Sequence, residues 1–134
     1  RRRAIPEGGR EGPMSGLYQE FSDGLRGDRW QPALDVFETD VSVVVRVEIA
    51  GVRGEDVRVQ VDGELLRVSG MRRVPTTPKP KRLHRMEIAF GPFEREVRIS
   101  LPFDRDGVAA HLEDGFLTIT LPKRLPTRRQ IEVE

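Results

Sequence analysis

The strongest constraint on the fold comes from a predicted β-hairpin close to the end of the chain. Asp114-Gly115 is typical of a tight hairpin turn, because glycine readily adopts the positive φ that such turns require. Beyond the turn, apolar residues alternate with threonines in the period-2 pattern of a strand with one buried face, namely Leu117, Ile119 and Leu121 against Thr118 and Thr120. Pro122 cannot donate a backbone hydrogen bond, so we expect the strand pairing to end there.

The same alternation recurs throughout residues 30–123 and predicts an all-β domain. Strands are expected at residues 34–37, 41–49, 57–61, 65–69 and 93–101, with two more in the hairpin. Gly, Pro and Asp residues separate these segments, and no long helical pattern lies between them. Short strands at this spacing favour an immunoglobulin-like β-sandwich over alternating strands and helices.

Residues 1–29 differ in composition and are expected to form a flexible N-terminal arm that is partly disordered or an amphipathic helix. Glycines and prolines are frequent here, which disfavours a stable independent fold. Five apolar residues nevertheless recur at spacings of three and four, which places them on one face of a helix: Met14, Leu17, Tyr18, Phe21 and Leu25. This face either packs permanently on the domain or is exposed for a binding partner, and the glycine content favours transient exposure.

Two further segments have the pattern of elements that pair with another chain. Residues 75–82 form a polar loop with three prolines, and loops of this kind are often functional. The six residues after it could form a strand that pairs with an open sheet edge of a neighbouring chain: Leu83, His84, Arg85, Met86, Glu87 and Ile88. In the C-terminal extension, residues 124–134, Ile131 and Val133 point the same way when extended and suit strand addition to a groove.

Composition argues against several classes of function. Lys and Arg total 23 and Asp and Glu 22, so the net charge of +1 argues against nucleic acid as a partner. No apolar run approaches the roughly 20 residues of a membrane span, so no membrane partner is expected. The absence of cysteine excludes thiol catalysis, and the two histidines are not at metal-ligand spacing. We therefore predict no catalytic residue, no metal site and no cofactor, and expect a cytoplasmic location.

Arg95 has an unusual position in this pattern. Alternation places it on the same strand face as Phe93 and Val97, and a charge buried alone is costly. Either the guanidinium has a partner or this face is open to solvent. We expect the guanidinium to pair with a carboxylate.

Several short motifs, in order along residues 30–134, together resemble the small heat-shock proteins of the α-crystallin family, bacterial type. The hairpin resembles the family signature A-x-x-x-n-G-v-L through Ala110, Gly115 and Leu117, with Asp114 in place of the usual Asn. Leu101-Pro102 comes two residues later than in the family, which suggests a longer strand or a bulge. The other matches are Trp30-Gln31-Pro32-Ala33-Leu34-Asp35, Glu55-Asp56-Val57-Arg58-Val59, Gly91-Pro92-Phe93-Glu94-Arg95 and Ile131-Glu132-Val133.

The resemblance implies an ATP-independent chaperone, a holdase that keeps partly unfolded client proteins from aggregating until ATP-driven chaperones refold them. It implies a homodimer in which residues 83–88 are exchanged between chains, with Arg95 near the interface, and a client-binding arm. It further implies that Ile131 and Val133 of one dimer dock in a groove of another, and this groove maps to Val57, Val59, Val61, Ala110 and Leu112.

Two rival functions were weighed against the chaperone. A CS-domain-type adaptor for an ATP-driven chaperone has a related sandwich, but such adaptors usually lack both the hairpin signature and the I-x-V tail. A β-sandwich enzyme or ligand-binding module would need a convergent polar cluster, which the sequence does not supply.

Overall fold

The computed structural model describes residues 30–124 and 130–134, and in them seven strands form two antiparallel sheets. The larger sheet has the order β1-β2-β7-β6 and the smaller sheet the order β3-β4-β5. The strands are β1 Leu34–Glu38, β2 Ser42–Glu48, β3 Val57–Asp62, β4 Leu65–Arg72, β5 Gly91–Arg98, β6 Ala109–Glu113 and β7 Phe116–Pro122. The predicted β-sandwich is confirmed, while the arm at residues 1–29, with its expected helix, lies outside the described residues.

The core forms where the inward faces of the two sheets meet. Val43, Val45 and Val47 alternate along β2, and their neighbours on β7 are Leu121, Ile119 and Leu117; all six are at most 3% exposed. They pack in one cluster with the inward residues of the smaller sheet, Leu66, Val68 and Phe93. Burying each such side chain contributes roughly 1.5–3 kcal/mol, so the alternation of apolar residues is the main source of the sandwich.

The hairpin turn forms at Asp114 and Gly115, as the sequence predicts. Both residues have positive φ, 54° and 83°, which is the geometry of the tight turn that joins twisted antiparallel strands. The Gly115 carbonyl also accepts a hydrogen bond of 2.8 Å from the N–H of Ile49. The turn therefore anchors the end of β2 as well as reversing the chain.

Several predicted strand ends differ from the observed ones by one to three residues, as at β4, which ends at Arg72 rather than at Ser69, and two of the differences have a clear physical cause. β5 ends at Arg98 rather than at residue 101, because its partner β4 begins at Leu65, directly opposite Arg98. The β4–β5 register is continuous, so the two extra residues before Pro102 lie in the loop after β5 and make neither a longer strand nor a bulge. Pro122 belongs to β7 and pairs with Ser42, because proline lacks only the donor: its carbonyl accepts from the N–H of Asp104 at 2.9 Å.

Helices have almost no part in this fold. The described residues contain two short 3-10 turns, Gly54–Asp56 before β3 and Arg105–Gly107 before β6. Within residues 30–124 and 130–134, none of the helical segments has the length and apolarity needed to cross a bilayer.

Gly70 provides a test of the packing between β4 and its surroundings. A Cβ at this position would lie 2.7 Å from the Phe93 ring and still closer to the backbone carbonyl of Asp56. We expect Gly70→Ala to lower the free energy of unfolding by about 1–3 kcal/mol, the usual cost of overpacking. Urea denaturation measures the change.

The matched control is Gly54→Ala, because nothing lies within 4 Å of a Cβ built there. Its effect should stay within about 0.5 kcal/mol. Equal stability of the two variants would show that the β4–Phe93 contact is not tight.

Candidate functional site

The two sheets expose their edge strands along the two margins of the sandwich. Trp30 bridges to Phe93, and the Arg95 side chain donates to the carbonyl of Pro32, so the start of β1 lies beside β5. Given the strand orders, the opposite edges, β3 and β6, share the other margin. We refer to these as the β1–β5 margin and the β3–β6 margin.

The β3–β6 margin contains the predicted groove residues on inward strand faces. Val57, Val59 and Val61 are half-buried, whereas the residues between them, Arg58 and Gln60, are exposed. Burial therefore alternates strictly along the strand. All three pack against the core cluster. On β6, Leu112 is half-buried opposite Leu117, and Ala110 is exposed opposite Ile119. All five therefore lie where the core reaches an open edge.

The C-terminal anchors are not packed into their own chain. Ile131 is 77% exposed and Val133 is 96% exposed. The tail residues 130–134 have no regular secondary structure. The apolar anchors are therefore available to another surface, and their docking stays a prediction. The arm residues Met14, Leu17, Tyr18, Phe21 and Leu25 lie outside the described part of the chain.

The segment expected to exchange between chains is irregular in the single chain. Residues 83–88 make no ladder there, so the expected strand is absent in the isolated chain, and its pairing with a neighbour stays a prediction. Leu83 and Met86 are half-buried, whereas Ile88 is 59% exposed. His84, Arg85 and Glu87 are exposed, and a 3.0 Å ion pair joins the last two.

The edge that could receive such a segment was not predicted from the sequence. β1 is the outer strand of the larger sheet, and its Val36 and Phe37 are 47% and 38% exposed. The Arg46 guanidinium lies 5.2 Å from the centre of the Phe37 ring. The signal available in the sequence was the shortness of the strand, which is typical of sheet edges.

Arg95 has a backbone partner within its own chain. Its side chain is half-buried on the inward face of β5, opposite Val68. In the single chain its Nη1 donates a 2.5 Å hydrogen bond to the backbone carbonyl of Pro32, and the expected pairing with a carboxylate near a dimer interface stays a prediction. The backbone oxygen satisfies this charged donor, and a hydrogen bond from a charged group contributes about 1.5–3 kcal/mol. Arg95 thus connects the entry to β1 with β5.

Arg72, at the end of β4, is a second residue that the sequence analysis missed. Its guanidinium lies over the Trp30 ring, 3.7 Å from the centroid. The Nε and Nη2 atoms donate to the carbonyl of Ala89 at 2.9 and 2.6 Å, and Nη1 donates to that of Ala50 at 3.1 Å. One side chain therefore holds the return of the loop against the start of the domain, beside a cavity of about 210 Å³.

Arg73 holds the other end of the loop. Its Nε and Nη2 donate to both carboxylate oxygens of Asp56 at 2.8 and 2.6 Å. The Asp56 side chain is 8% exposed. The hydrogen bond from Arg73 lowers the pKa of Asp56 below its ordinary value, and the charge of Arg73 adds to this effect while burial opposes it. The pair fixes the loop to the start of β3.

Within the part of the chain that the structure describes, several of the remaining charged groups form pairs at the surface. Arg67 on the outer face of β4 contacts Glu96 at 2.6 Å and Glu94 at 3.3 Å, with all three side chains over a third exposed, as expected for a solvated face. His111 lies 3.4 Å from Glu113 at the surface. Among residues 30–124 and 130–134 there is no group of three or more side chains suited to holding a metal ion.

Comparison with known proteins identifies relatives of the whole sandwich. Residues 35–134 match the model of the Hsp20/alpha crystallin family. The chain is 31% identical over 104 residues to small heat shock protein C2 of Rickettsia felis, covering 77% of this chain and 68% of that protein. It is 41% identical over 105 residues to the 18.9 kDa heat shock protein of Oryza sativa subsp. japonica, covering 75% of this chain but only 59% of that protein.

A solved structure shows the same fold. Heat shock protein 16.0 from Schizosaccharomyces pombe superposes with a TM-score of 0.65 at 35% identity, covering 79% of this chain and all of that one. The family resemblance inferred from the motifs is therefore confirmed.

The ion pair of Asp56 with Arg73 leads to a testable dependence of stability on pH. A carboxyl whose pKa is lowered in the folded state stabilises it above the ordinary value of 3.8, and this contribution is lost as pH falls through the lower folded pKa. Asp56→Asn should lower the free energy of unfolding at pH 7 by about 1–3 kcal/mol, because it weakens a mostly buried pair.

The variant should also lose less stability than the wild type when the pH is lowered from 5 to about 2, the range in which a depressed carboxyl pKa takes effect. Thermal denaturation followed by circular dichroism across this range measures both effects. Asp62→Asn, at the exposed last residue of β3, is the control. It should lose stability between pH 5 and about 2 as the wild type does. An unchanged acid limb in Asp56→Asn would contradict the assignment.

Proposed function

The chain belongs to the Hsp20/alpha crystallin family of small heat-shock proteins, and on this premise we propose that it acts as an ATP-independent holdase. In this role it binds partly unfolded proteins in the cytoplasm and prevents their aggregation. ATP-driven chaperones then receive the bound clients for refolding. The role needs no cofactor and no chemical step.

The observation that carries the proposal is the half-buried apolar lining of the β3–β6 margin. Val57, Val59 and Val61 present their side chains at an edge, because among the described strands β3 pairs with β4 only. Extended peptides bind such edges through backbone hydrogen bonds, while alternate side chains enter the apolar lining. Partly unfolded proteins expose extended apolar segments of this kind.

The chain's own tail has the chemistry to occupy the same margin. Ile131 and Val133 are two residues apart, so they point to the same side of an extended backbone, about 6.6 Å from one another. The inward valines of β3 are spaced in the same way. Because both anchors are largely exposed in the single chain, we propose that they dock on another dimer and compete there with clients.

The proposed building block is a homodimer formed at the β1–β5 margin. Residues 83–88 of one chain add to the open edge of β1 in its partner. Val36 and Phe37 on that edge are partly exposed apolar groups, and pairing would cover them. Arg95 supports this margin from within through its hydrogen bond to Pro32, two residues before the start of β1.

The arm supplies the main client-binding surface in this proposal. The apolar spacing of Met14, Leu17, Tyr18, Phe21 and Leu25 supports an amphipathic face. Each such side chain contributes roughly 1.5–3 kcal/mol when it is fully buried. A few of them would therefore hold an unfolded client without binding it permanently.

A light-scattering assay with a heat-denatured client and no ATP tests the holdase role. The full chain should suppress aggregation, because its apolar margins cover exposed client segments. An adaptor that only recruits an ATP-driven chaperone would leave the scattering unchanged, and that result would exclude the proposal.

Removal of residues 1–29 should weaken suppression while the sandwich remains folded, because residues of both sheets pack together in the core cluster. Circular dichroism checks the fold of the shortened protein. Undiminished protection would show that the arm is not the main client site.

Tail docking is tested with a peptide of residues 124–134 and a full chain carrying Ile131→Ser/Val133→Ser, so that its own tail cannot compete. The wild-type peptide should bind at least tenfold more tightly than one carrying the same two substitutions, measured by calorimetry. A peptide with Glu132→Ser/Glu134→Ser is the matched control and should keep its affinity. Equal affinity of all three peptides would argue against docking through the two apolar anchors.

A further inference from the structure

Charge is distributed unevenly between the two segments that meet at the proposed dimer interface. Residues 79–85 contain Lys79, Lys81, Arg82 and Arg85 and no acidic residue. Residues 30–45, which include β1, contain Asp35, Glu38 and Asp40 and no Lys or Arg. The net charge of the whole chain is only +1, so these opposite charges are a local feature that favours contact between the two segments in different copies.

The backbone of β1 limits how another strand can add to it. Ala33 and Thr39 direct their hydrogen bonds toward β2: the Ala33 carbonyl accepts from Glu48, and the Thr39 N–H donates to Ser42. Because hydrogen-bonding direction alternates along an antiparallel strand, the even-numbered residues Leu34, Val36 and Glu38 direct theirs to the open edge. The added strand must place residues with a free N–H opposite these three.

The side-chain faces of β1 impose a second condition. Asp35 and Phe37 lie on the outer face of the sheet, opposite Arg46 and Val44. Leu34, Val36 and Glu38 lie on the inner face, opposite the buried residues Val47, Val45 and Val43.

The exchanged segment alternates in a compatible way. The ion pair between Arg85 and Glu87 places these two side chains on one side of the backbone, as expected for an extended segment. Leu83 then shares that side with them, and Arg82, His84 and Met86 lie on the other side.

From these conditions we propose that residues 82–86 of one chain pair antiparallel to β1 of a second copy, with Arg85 opposite Asp35 and Arg82 opposite Glu38. This proposal rests on the strand-exchanged dimer of the proposed function and assigns its register and its source of selectivity. The outer face then pairs Leu83 with Phe37.

The inner face is matched by the same register. Met86 lies opposite Leu34, and the three residues that must bond to the edge are Arg82, His84 and Met86, all of which have a backbone N–H. The next residue in that series is Pro80, which has none, so the pairing ends there. Both arginines thus face carboxylates, and two apolar pairs close the contact.

Neighbouring registers lose these matches. A shift by one residue places Met86 opposite Asp35 and reverses the inner and outer faces. A shift by two residues toward the end of β1 places Glu87 opposite Asp35, with like charges directly opposed. Parallel pairing with Arg85 opposite Glu38 places Glu87 opposite Asp40. Charges of the same sign at opposed positions are destabilising, so the assigned register is the favoured one.

Glu38 already has a partner in its own chain, since Lys123 Nζ lies 2.9 Å from one of its carboxylate oxygens. Arg82 from the second copy would therefore join an existing ion pair. The Glu38 side chain is 55% exposed, which leaves it accessible from the open edge.

Charge reversal provides the decisive experiment. One variant carries Arg82→Glu/Arg85→Glu in the loop, and the other carries Asp35→Lys/Glu38→Lys on the edge. Each variant alone opposes like charges at both copies of the interface and should dissociate at least tenfold more readily than the wild type. An equimolar mixture makes both interfaces complementary again, so a heterodimer close to wild-type affinity should form, measured by light scattering coupled to size exclusion.

The matched control is Arg58→Glu/Arg105→Glu, which makes the same change in net charge at exposed positions away from β1; it should dimerise like the wild type. Restored dimers in the mixture cannot come from unfolded variants, so folding defects do not mimic the expected result. Dimeric wild type with unaffected variants, or variants that do not recover on mixing, would overturn the register while leaving the dimer intact. A monomeric wild type would instead overturn the proposed dimer itself.

Cross-linking tests the register independently, because the chain has no cysteine of its own. A chain with Leu83→Cys mixed with a chain with Phe37→Cys should form a disulfide on oxidation, since directly opposed residues have the Cα separation that a disulfide needs. Asp35→Cys in place of Phe37→Cys moves the thiol two positions along the edge and should cross-link much less. Preferential cross-linking to Asp35→Cys would show a different register.

Discussion

The packing of two valine- and leucine-rich strand faces against each other is the interaction on which the rest of this protein depends. At the centre of the sandwich Val45 and Ile119 are fully buried, because strands flank them on both sides and a second sheet covers them. At the margins Val59 and Leu112 are covered on one side only. A small sandwich therefore has to leave apolar groups at its open edges, and the proposed binding functions use these groups.

Two consecutive arginines at the end of β4 determine how the loop leaves this core. Successive side chains of an extended chain point to opposite sides, so Arg72 reaches Trp30 and the carbonyl of Ala89 while Arg73 reaches Asp56. One arginine holds the return of the loop and the other its departure. The segment between these anchors remains largely exposed and is held at a defined place beside the sheet, as a segment that pairs with a second chain requires.

Local patterns predicted the strands well, and the errors arose where the outcome depends on a partner from another part of the chain. Alternation and turn residues together indicated all seven strands of the described sandwich, because one buried face imposes a period of two and Asp-Gly favours a tight hairpin turn. It could not locate the end of β5, which depends on where the partner strand begins, at Leu65. It misjudged Pro122, whose carbonyl still accepts a hydrogen bond from Asp104. Arg95 was correctly singled out as a charge on an apolar face, but its partner, Pro32, lies far away in the sequence.

The sequence by itself determined the fold class, the family and the apolar faces of the strands, because each follows from periodicity, turn chemistry or motifs within a short stretch of chain. Tertiary structure alone decided which strands became edges and that β3 and β6 share a margin. It also decided that the Arg72 guanidinium lies over the Trp30 ring. The hairpin at Asp114-Gly115 illustrates both: its turn is encoded locally, but β6 is an edge only because none of the other described strands pairs with its outer side. Edges arise from the arrangement of strands in space, and no local pattern contains that arrangement.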